Sequence, residues 1–286
     1  MANSTQTPQR VWFITGASTG FGRLLAEQTL RAGHKVVATA RRPEQIANLG
    51  DRYSDRCLVL PLDVTNQAQV DSAVDQAIAR FGRVDVLVNN AGYGVAGAIE
   101  EVSETEFMPM FETNVFGLLR VTRAFLPHLR KQRSGHILNL SSIGGVVASP
   151  GMGLYNSTKF AVEGISEALA AELAPLGIHV TIIEPGPFRT DFLGRSGVVA
   201  KSRIADYDGT ADNMRKYFAE NDGKQEGDPL RAVQAMMQVV ESPNPPLRLL
   251  LGASALQRLH AKFNNWQKEI AAWEKVTVGA DFPDGQ

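Results

Sequence analysis

Cysteine is all but missing from this 286-residue chain: Cys57 stands alone. No intramolecular disulfide can form, which fits a reducing compartment. An excess of charge is missing too. Twenty-nine Lys and Arg offset 30 Asp and Glu, leaving a formal net charge of −1, so no one-signed field draws nucleic acid or an anionic membrane. No apolar run approaches the ~20 residues that span a bilayer. Met1–Arg10 is polar and has no signal-peptide core. The expected location is cytoplasmic, with no nucleic-acid or membrane partner and no metal site. What the chain does have is core-forming material: 44% hydrophobic and 21% charged residues, the proportions of an ordinary globular protein.

From Val11 to Glu184, short apolar runs alternate with longer amphipathic stretches. Val11–Thr15, Lys35–Ala40, Cys57–Leu60, Val84–Val88, His136–Leu140 and His179–Glu184 read as strands. Their consecutive apolar positions imply burial on both faces, as in a parallel sheet covered by helices. Helical patterns lie between them at about Gly22–Ala32, Gln67–Phe81, Glu104–Lys131 and Leu154–Leu176. The expected architecture is α/β: a doubly wound, Rossmann-like parallel sheet in a single domain over 9–255, with a C-terminal helical extension over 256–286. Gly194–Gly227 has no clear period, so residues 191–227 are expected to form a substrate lid or to be partly helical. Pro229–Val240 reads as a helix and Leu247–Leu251 as a further strand. Leu256–Val276 reads as a helix whose apolar Leu259, Phe263, Trp266, Ile270 and Trp273 imply core or subunit contact.

The first strand runs into Thr15-Gly16-Ala17-Ser18-Thr19-Gly20-Phe21-Gly22 and then a helix. Free N–H groups and the helix dipole there favour an anion such as a pyrophosphate, and glycines let it approach. The same residues hold a rival chemistry. Gly16 to Gly20 match Gly-x-Ser-x-Gly, the nucleophile elbow of serine hydrolases, with Ser18 as nucleophile and His128, His136, His179 or His260 as base. Against it, the turn follows the first strand, no His sits in a recognisable late-strand loop, and Gly22 has no part to play.

Tyr155-Asn156-Ser157-Thr158-Lys159 begins a helix, and its spacing of four puts the phenol and the ammonium on one face. A nearby ammonium and the positive helix end both favour the phenolate. They would bring a pKa of ~10 toward the range useful for acid–base chemistry. Leu138–Ser142 ends a strand just upstream, so Ser142 falls at the carboxyl edge of the sheet, where ligands of open parallel sheets bind.

These motifs together resemble the short-chain dehydrogenase/reductase family over roughly Gln9 to Thr190. The likeness rests on Thr-Gly-x-x-x-Gly-x-Gly, Asp63-Val64, Asn89-Asn90-Ala91-Gly92, Asn114, Ser142, Tyr155-x-x-x-Lys159 and Pro185-Gly186-Pro187-Phe188-Arg189-Thr190. Its glycine spacing is similar to that of the single-domain branch. The resemblance implies that Tyr155 protonates a carbonyl oxygen or deprotonates an alcohol, while Ser142 orients that oxygen. It implies that Lys159 holds the nicotinamide ribose and that Asn114 fixes a water in a proton relay. Gly16, Ser18, Thr19, Gly20, Phe21 and Gly22 would cradle the dinucleotide. Asp63 and Val64 would meet the adenine, and Asn90, Ala91 and Gly92 the adenosine side. Pro185, Gly186, Phe188 and Thr190 would border the nicotinamide. A non-enzymatic NADP-sensing protein of the same fold stays open; intact Tyr155 and Lys159 speak against it.

The second strand ends Ala40-Arg41-Arg42, without the carboxylate that usually holds the ribose hydroxyls of NAD. Arg41 can instead bond a 2′-phosphate, so NADP(H) is the expected cofactor and NAD(H) the second choice. Thr19 stands where some NADP-preferring relatives carry a basic residue. The expected substrate is a small, hydrophobic carbonyl or alcohol, bound among Ser142, Gly144, Met152, Tyr155, Phe188 and Phe192–Gly227, with Tyr93 and Val95 as a further wall. The resemblance also implies a homodimer or homotetramer paired through the helices near Glu104–Lys131 and Leu154–Leu176.

Overall fold

The computed structural model describes Pro8–Phe282; the polar start Met1–Thr7 and the last four residues of the C-terminal extension lie outside the described residues. The chain runs β1 (Val11–Ile14), α1 (Gly20–Arg31), β2 (Lys35–Ala40), α2 (Ala47–Arg52), β3 (Cys57–Pro61), α3 (Gln67–Phe81), β4 (Val86–Asn89) and β5 (Gly94–Ala96). It continues through α4 (Glu104–Phe111), α5 (Leu118–Gln132), β6 (Gly135–Leu140), α6 (Gly153–Leu173), β7 (Ile178–Pro185) and β8 (Gly197–Val199). It closes with α7 (Asp212–Asn221), α8 (Pro229–Glu241), β9 (Arg248–Leu251) and α9 (Ala253–Val278).

The main sheet has seven strands in the order β3-β2-β1-β4-β6-β7-β9, and every pairing in it is parallel. Residues alternate across it. Trp12 and Ile14 face a core with Leu25 and Leu30 of α1 and Met236 of α8. Val11 and Phe13 face the opposite core, with Val70 of α3, Phe125 of α5 and Leu169 of α6. This is the doubly wound Rossmann-like sheet the sequence implies, in a single domain. Strand order reverses between β1 and β4, and a crevice opens beyond their carboxyl ends.

Three expectations need correction. The long helix over Glu104–Lys131 is two helices, α4 and α5, joined by a π turn at Glu112–Gly117. The helical pattern ran on through it, because a π turn widens the backbone by one residue and stays helical. The segment 191–227 is partly helical, one of the two alternatives expected, but it also holds a strand that was not. Its β8 pairs in parallel with β5, a strand the sequence reading missed, and α7 follows. Glu101 fastens this segment. Burial pushes its carboxyl up, but Arg215 at 2.8 Å and the N–H groups of Ile204 and Ala98 outweigh that and hold it at about 2. Finally, the apolar stripe of α9 is not core within the chain: every residue from His260 to Phe282 is exposed. The helix also starts at Ala253, three residues before the expected boundary. No helix among the described residues is long and apolar enough to cross a membrane.

Candidate functional site

The site begins where β1 and β4 diverge. After β1 the chain turns through Gly16 at φ +66° and Gly20 at φ +54°, in the left-handed region that glycine tolerates best. Thr15 ties this turn to the one after β4. Its hydroxyl accepts from the N–H groups of Asn90 and Ala91, at 2.9 and 3.0 Å. The Asn90 amide in turn donates to the Thr15 and Gly16 carbonyls at 2.9 and 3.0 Å. A Cβ on Gly22 would lie 2.4 Å from Asn90 Nδ2 and 2.5 Å from the Gly16 carbonyl, so α1 can seat this close only with glycine there.

Thr19, the N-cap of α1, makes no side-chain cap bond, and the first turn carries no acid. That helix end therefore offers N–H groups and a positive dipole to the crevice, a setting suited to phosphate. The crevice has a volume of about 1530 Å³, larger than the ~300–1,000 Å³ of a single-ligand pocket. It has room for a dinucleotide and a second molecule. Arg41 is exposed at its rim, with Ala40 beside it. The glycine cradle, the open helix end and the basic rim together fit a nicotinamide dinucleotide.

The opposite wall is built by β6, β7 and α6. Ser142 caps a 3-10 turn at Ile143–Gly145 and accepts from the Gly144 N–H at 3.0 Å. Tyr155 and Lys159, one turn apart on α6, are both buried and both line the crevice. Lys159 Nζ donates to the Leu140 carbonyl at 2.6 Å and lies 5.9 Å from the Tyr155 ring centre. The expected acid shift of the phenol does not arise from these side chains. Burial pushes Tyr155 up to about 12, with only the Ser142 hydroxyl pulling the other way. Burial also brings Lys159 down to about 8, against the pull of Glu163.

The predicted residues Gly16, Ser18, Thr19, Gly20, Phe21, Arg41, Asp63, Val64, Asn90, Ala91 and Gly92 line this one crevice. So do Ser142, Tyr155, Lys159, Pro185, Gly186, Phe188 and Thr190. Two do not. Gly22 lies behind the glycine turn. Asn114 sits in the π turn behind Gly92, where its side chain accepts from the Tyr93 N–H at 3.0 Å. That side chain also donates to the Tyr93 carbonyl and the Thr158 hydroxyl, at 2.8 and 3.1 Å. The Asp63 carboxylate is engaged locally, accepting from the Thr65 N–H and hydroxyl at 2.9 and 2.7 Å. Of the expected pocket wall, Tyr93, Gly144 and Met152 line the crevice, whereas Val95 is buried in the core beneath it.

Several contributors escaped the sequence reading. Thr15 was visible in the glycine motif, but only the fold shows it as the tie between two turns. Asn156, next to the tyrosine, holds the loop after β6: it accepts from the Ser149 N–H and donates to the Gly144 carbonyl, both at 3.0 Å. Gln225 lines the crevice with both amide atoms buried and unpartnered, and no spacing signal marks it. Phe192, Phe218 and Met214 make the far end apolar. The elbow chemistry finds no partner: no histidine lines the crevice around Ser18, and His136 is buried and bonded to the Thr181 hydroxyl. Among the described residues no group of three or more His, Cys, Asp or Glu side chains is placed to hold a metal.

Comparison with known proteins agrees with this geometry. The family profile described as short chain dehydrogenase matches residues 10–197. Oxidoreductase BOA17 of Botryotinia fuckeliana is 40% identical over 87% of this chain and 90% of its own. The 3-ketodihydrosphingosine reductase of Bacteroides thetaiotaomicron is 39% identical over 90% of this chain and 93% of its own. A short-chain dehydrogenase from Streptomyces avermitilis superposes with a TM-score of 0.90 at 42% identity, over 96% of this chain and 100% of its own. Two other solved neighbours are described with dinucleotides. One is 3-ketoacyl-(acyl-carrier-protein) reductase of Brucella melitensis with NADH, at 30% identity and TM-score 0.71 over 85% and 96% of the two chains. The other is ElxO with NADP, at 26% identity and TM-score 0.72 over 87% and 100%.

Proposed function

Because this chain belongs to the short-chain dehydrogenase/reductase family, we propose that it is an NADP(H)-preferring oxidoreductase that interconverts a carbonyl and an alcohol on a small apolar molecule, with Tyr155 as acid and base. One observation carries the reading. Ser142, Tyr155 and Lys159 converge on a wall of the same crevice that the glycine turn opens. A nicotinamide dinucleotide held by the glycine turn, Arg41 and Lys159 would supply or take up the hydride.

The chain's own residues supply the rest. Ser142 holds the substrate oxygen against Tyr155, which donates a proton to it in reduction and accepts one in oxidation. Lys159 would hold the nicotinamide ribose hydroxyls. The Asn114 side chain is spent on Tyr93 and Thr158, so a relay water there would be held by a backbone carbonyl freed in the π turn. Arg41 at the rim, with no carboxylate at the end of β2, supports NADP(H) over NAD(H). The apolar end around Phe192, Met214 and Phe218 supports a hydrophobic substrate, and the relative named a 3-ketodihydrosphingosine reductase is consistent with one. Exposed Phe116 and Phe160 lie within the segments Glu104–Lys131 and Leu154–Leu176, through which the family resemblance implies pairing.

The test is a panel of ketones, aldehydes and secondary alcohols, followed by absorbance of the reduced cofactor. Tyr155→Phe should lower kcat by ~10²–10⁴-fold and leave dinucleotide affinity intact. Undiminished turnover in that variant removes the mechanism, and dinucleotide binding without turnover of any compound favours a sensor. Arg41→Ala should chiefly raise the KM for NADPH, and equal kcat/KM for NADH and NADPH in the parent would refute the preference.

A further inference from the structure

The C-terminal helix α9 rests on the body only at its base. Arg258 donates to the Val147 carbonyl at 3.2 Å and to the Ser149 hydroxyl at 2.9 Å, and with Ser254 it borders the crevice. Beyond Leu259 the helix leaves the protein, and none of the residues from His260 to Phe282 is covered. At 1.5 Å per residue its 26 residues extend about 39 Å. Along it run Leu256, Leu259, Phe263, Trp266, Ile270 and Trp273, at spacings of three, four, three, four and three. That alternation is a heptad repeat with a and d positions apolar, the seam of a coiled coil rather than of a helix lying on a globular core. Trp266 is 54% exposed and Trp273 65%, too much aromatic surface to leave in water on a structured helix.

We propose that α9 pairs with α9 of a second copy of this chain as an antiparallel coiled coil. Charge decides the direction. In an antiparallel pair, with a packed on d, Leu256 faces the partner's Trp273, Leu259 the partner's Ile270, and Phe263 the partner's Trp266. The outer layer then joins a large ring to a smaller side chain, the next joins two aliphatic side chains, and the central one joins two rings. The same register sets Lys262 against the partner's Glu269 at the g positions, twice by symmetry, and His260 against the partner's Gln267 at the e positions. A parallel pair would stack each tryptophan on its own copy and oppose Glu269 to the partner's Glu274.

The area is adequate. Each ring can bury ~150–250 Å² and still has about half of that open. With Leu256 and Ile270, two helices would remove on the order of 1,000 Å² from water, at the lower bound of a specific interface. A lipid surface is the weaker occupant, because the polar face mixes Lys268 and Lys275 with Glu269 and Glu274 instead of being strongly basic. The proposal does not depend on the reading of the crevice.

Light scattering after gel filtration of the whole chain provides the test. Trp266→Glu with Ile270→Glu should halve the parent mass, whatever other interface persists, while dinucleotide binding reports that the fold is kept. Lys262→Glu alone should weaken association at least tenfold, and adding Glu269→Lys should restore it. Lys262→Cys with Glu269→Cys should form an intermolecular disulfide, since the two are too far apart along one helix to close on themselves and native Cys57 is buried. An unchanged mass in the double glutamate variant overturns the proposal. So does a cross-link formed more readily by Trp266→Cys alone, which marks a parallel pair. A monomeric parent that co-sediments with phosphatidylcholine–phosphatidylglycerol vesicles would assign the stripe to lipid instead.

Discussion

At the scale of single residues, Tyr155 and Lys159 sit in a deeply buried polar neighbourhood. Behind Lys159 on α6, Glu163 faces Glu184 of β7, with Arg248 of β9 between them at 3.3 and 3.4 Å. Ser141 and Glu167 complete the cluster. Burial pushes both carboxyls up, Glu184 to about 7, and the negative charge of Glu163 pushes Glu184 the same way. Glu184 therefore holds its proton more tightly folded than unfolded, where it titrates near 4.5. Its contribution to stability is complete below about pH 4.5 and is lost as pH rises through about 7. His136, brought down to about 3 mainly by burial, acts with the opposite sign, so the informative quantity is a difference. Glu184→Gln keeps the protonated form's shape. The Tm of that variant minus the Tm of the parent should climb from pH 5 to pH 8, and a flat difference would show that no proton is held there. That Tyr155 and Lys159 share a helix face and that Ser142 ends a strand at the crevice was legible from spacing, while the roles proposed for them come from the family resemblance. The upward shift of the phenol was not legible, because it is set by how much chain closes over the ring.

At the scale of elements, α1 and the π turn set the crevice walls by close approach. Gly22→Ala places a methyl within 2.5 Å of Asn90 Nδ2 and the Gly16 carbonyl, and neither can yield without breaking the bonds that join the two turns. The substitution should cost ~1–3 kcal/mol of stability and weaken dinucleotide binding at least tenfold, measured by thermal melting and fluorescence titration. Gly117, which closes the π turn, packs against Val64, so that irregular turn also fixes the crevice wall at Val64. Strands β2 and β6 and helix α3 were readable almost to the residue. Their apolar periods are unbroken, and Asn66 and Gly82 cap α3 at its two ends. Strands β5 and β8 were not, since three-residue strands carry no period and exist only because each finds the other.

At the scale of the whole molecule, the reversal of strand order between β1 and β4 brings residues from Gly16 to Arg258 onto one crevice. The segment 191–227, held by the Glu101–Arg215 pair, supplies Phe192, Met214 and Phe218 to its apolar end. The proposed α9 pair would root each partner's helix at that same crevice through Arg258, and the halved mass of the Trp266→Glu, Ile270→Glu variant is the prediction that belongs at this scale. The chain's own order of residues determined the layered α/β sheet, the glycine turn and the Tyr-Lys face, because each is a matter of local period and spacing. Only tertiary structure decided that Asn114 works from behind the wall, that Val95 is core, that Gln225 faces the crevice and that the heptad of α9 points at water. Those outcomes depend on which distant segments meet, and burial, unlike periodicity, is a property of the assembled chain.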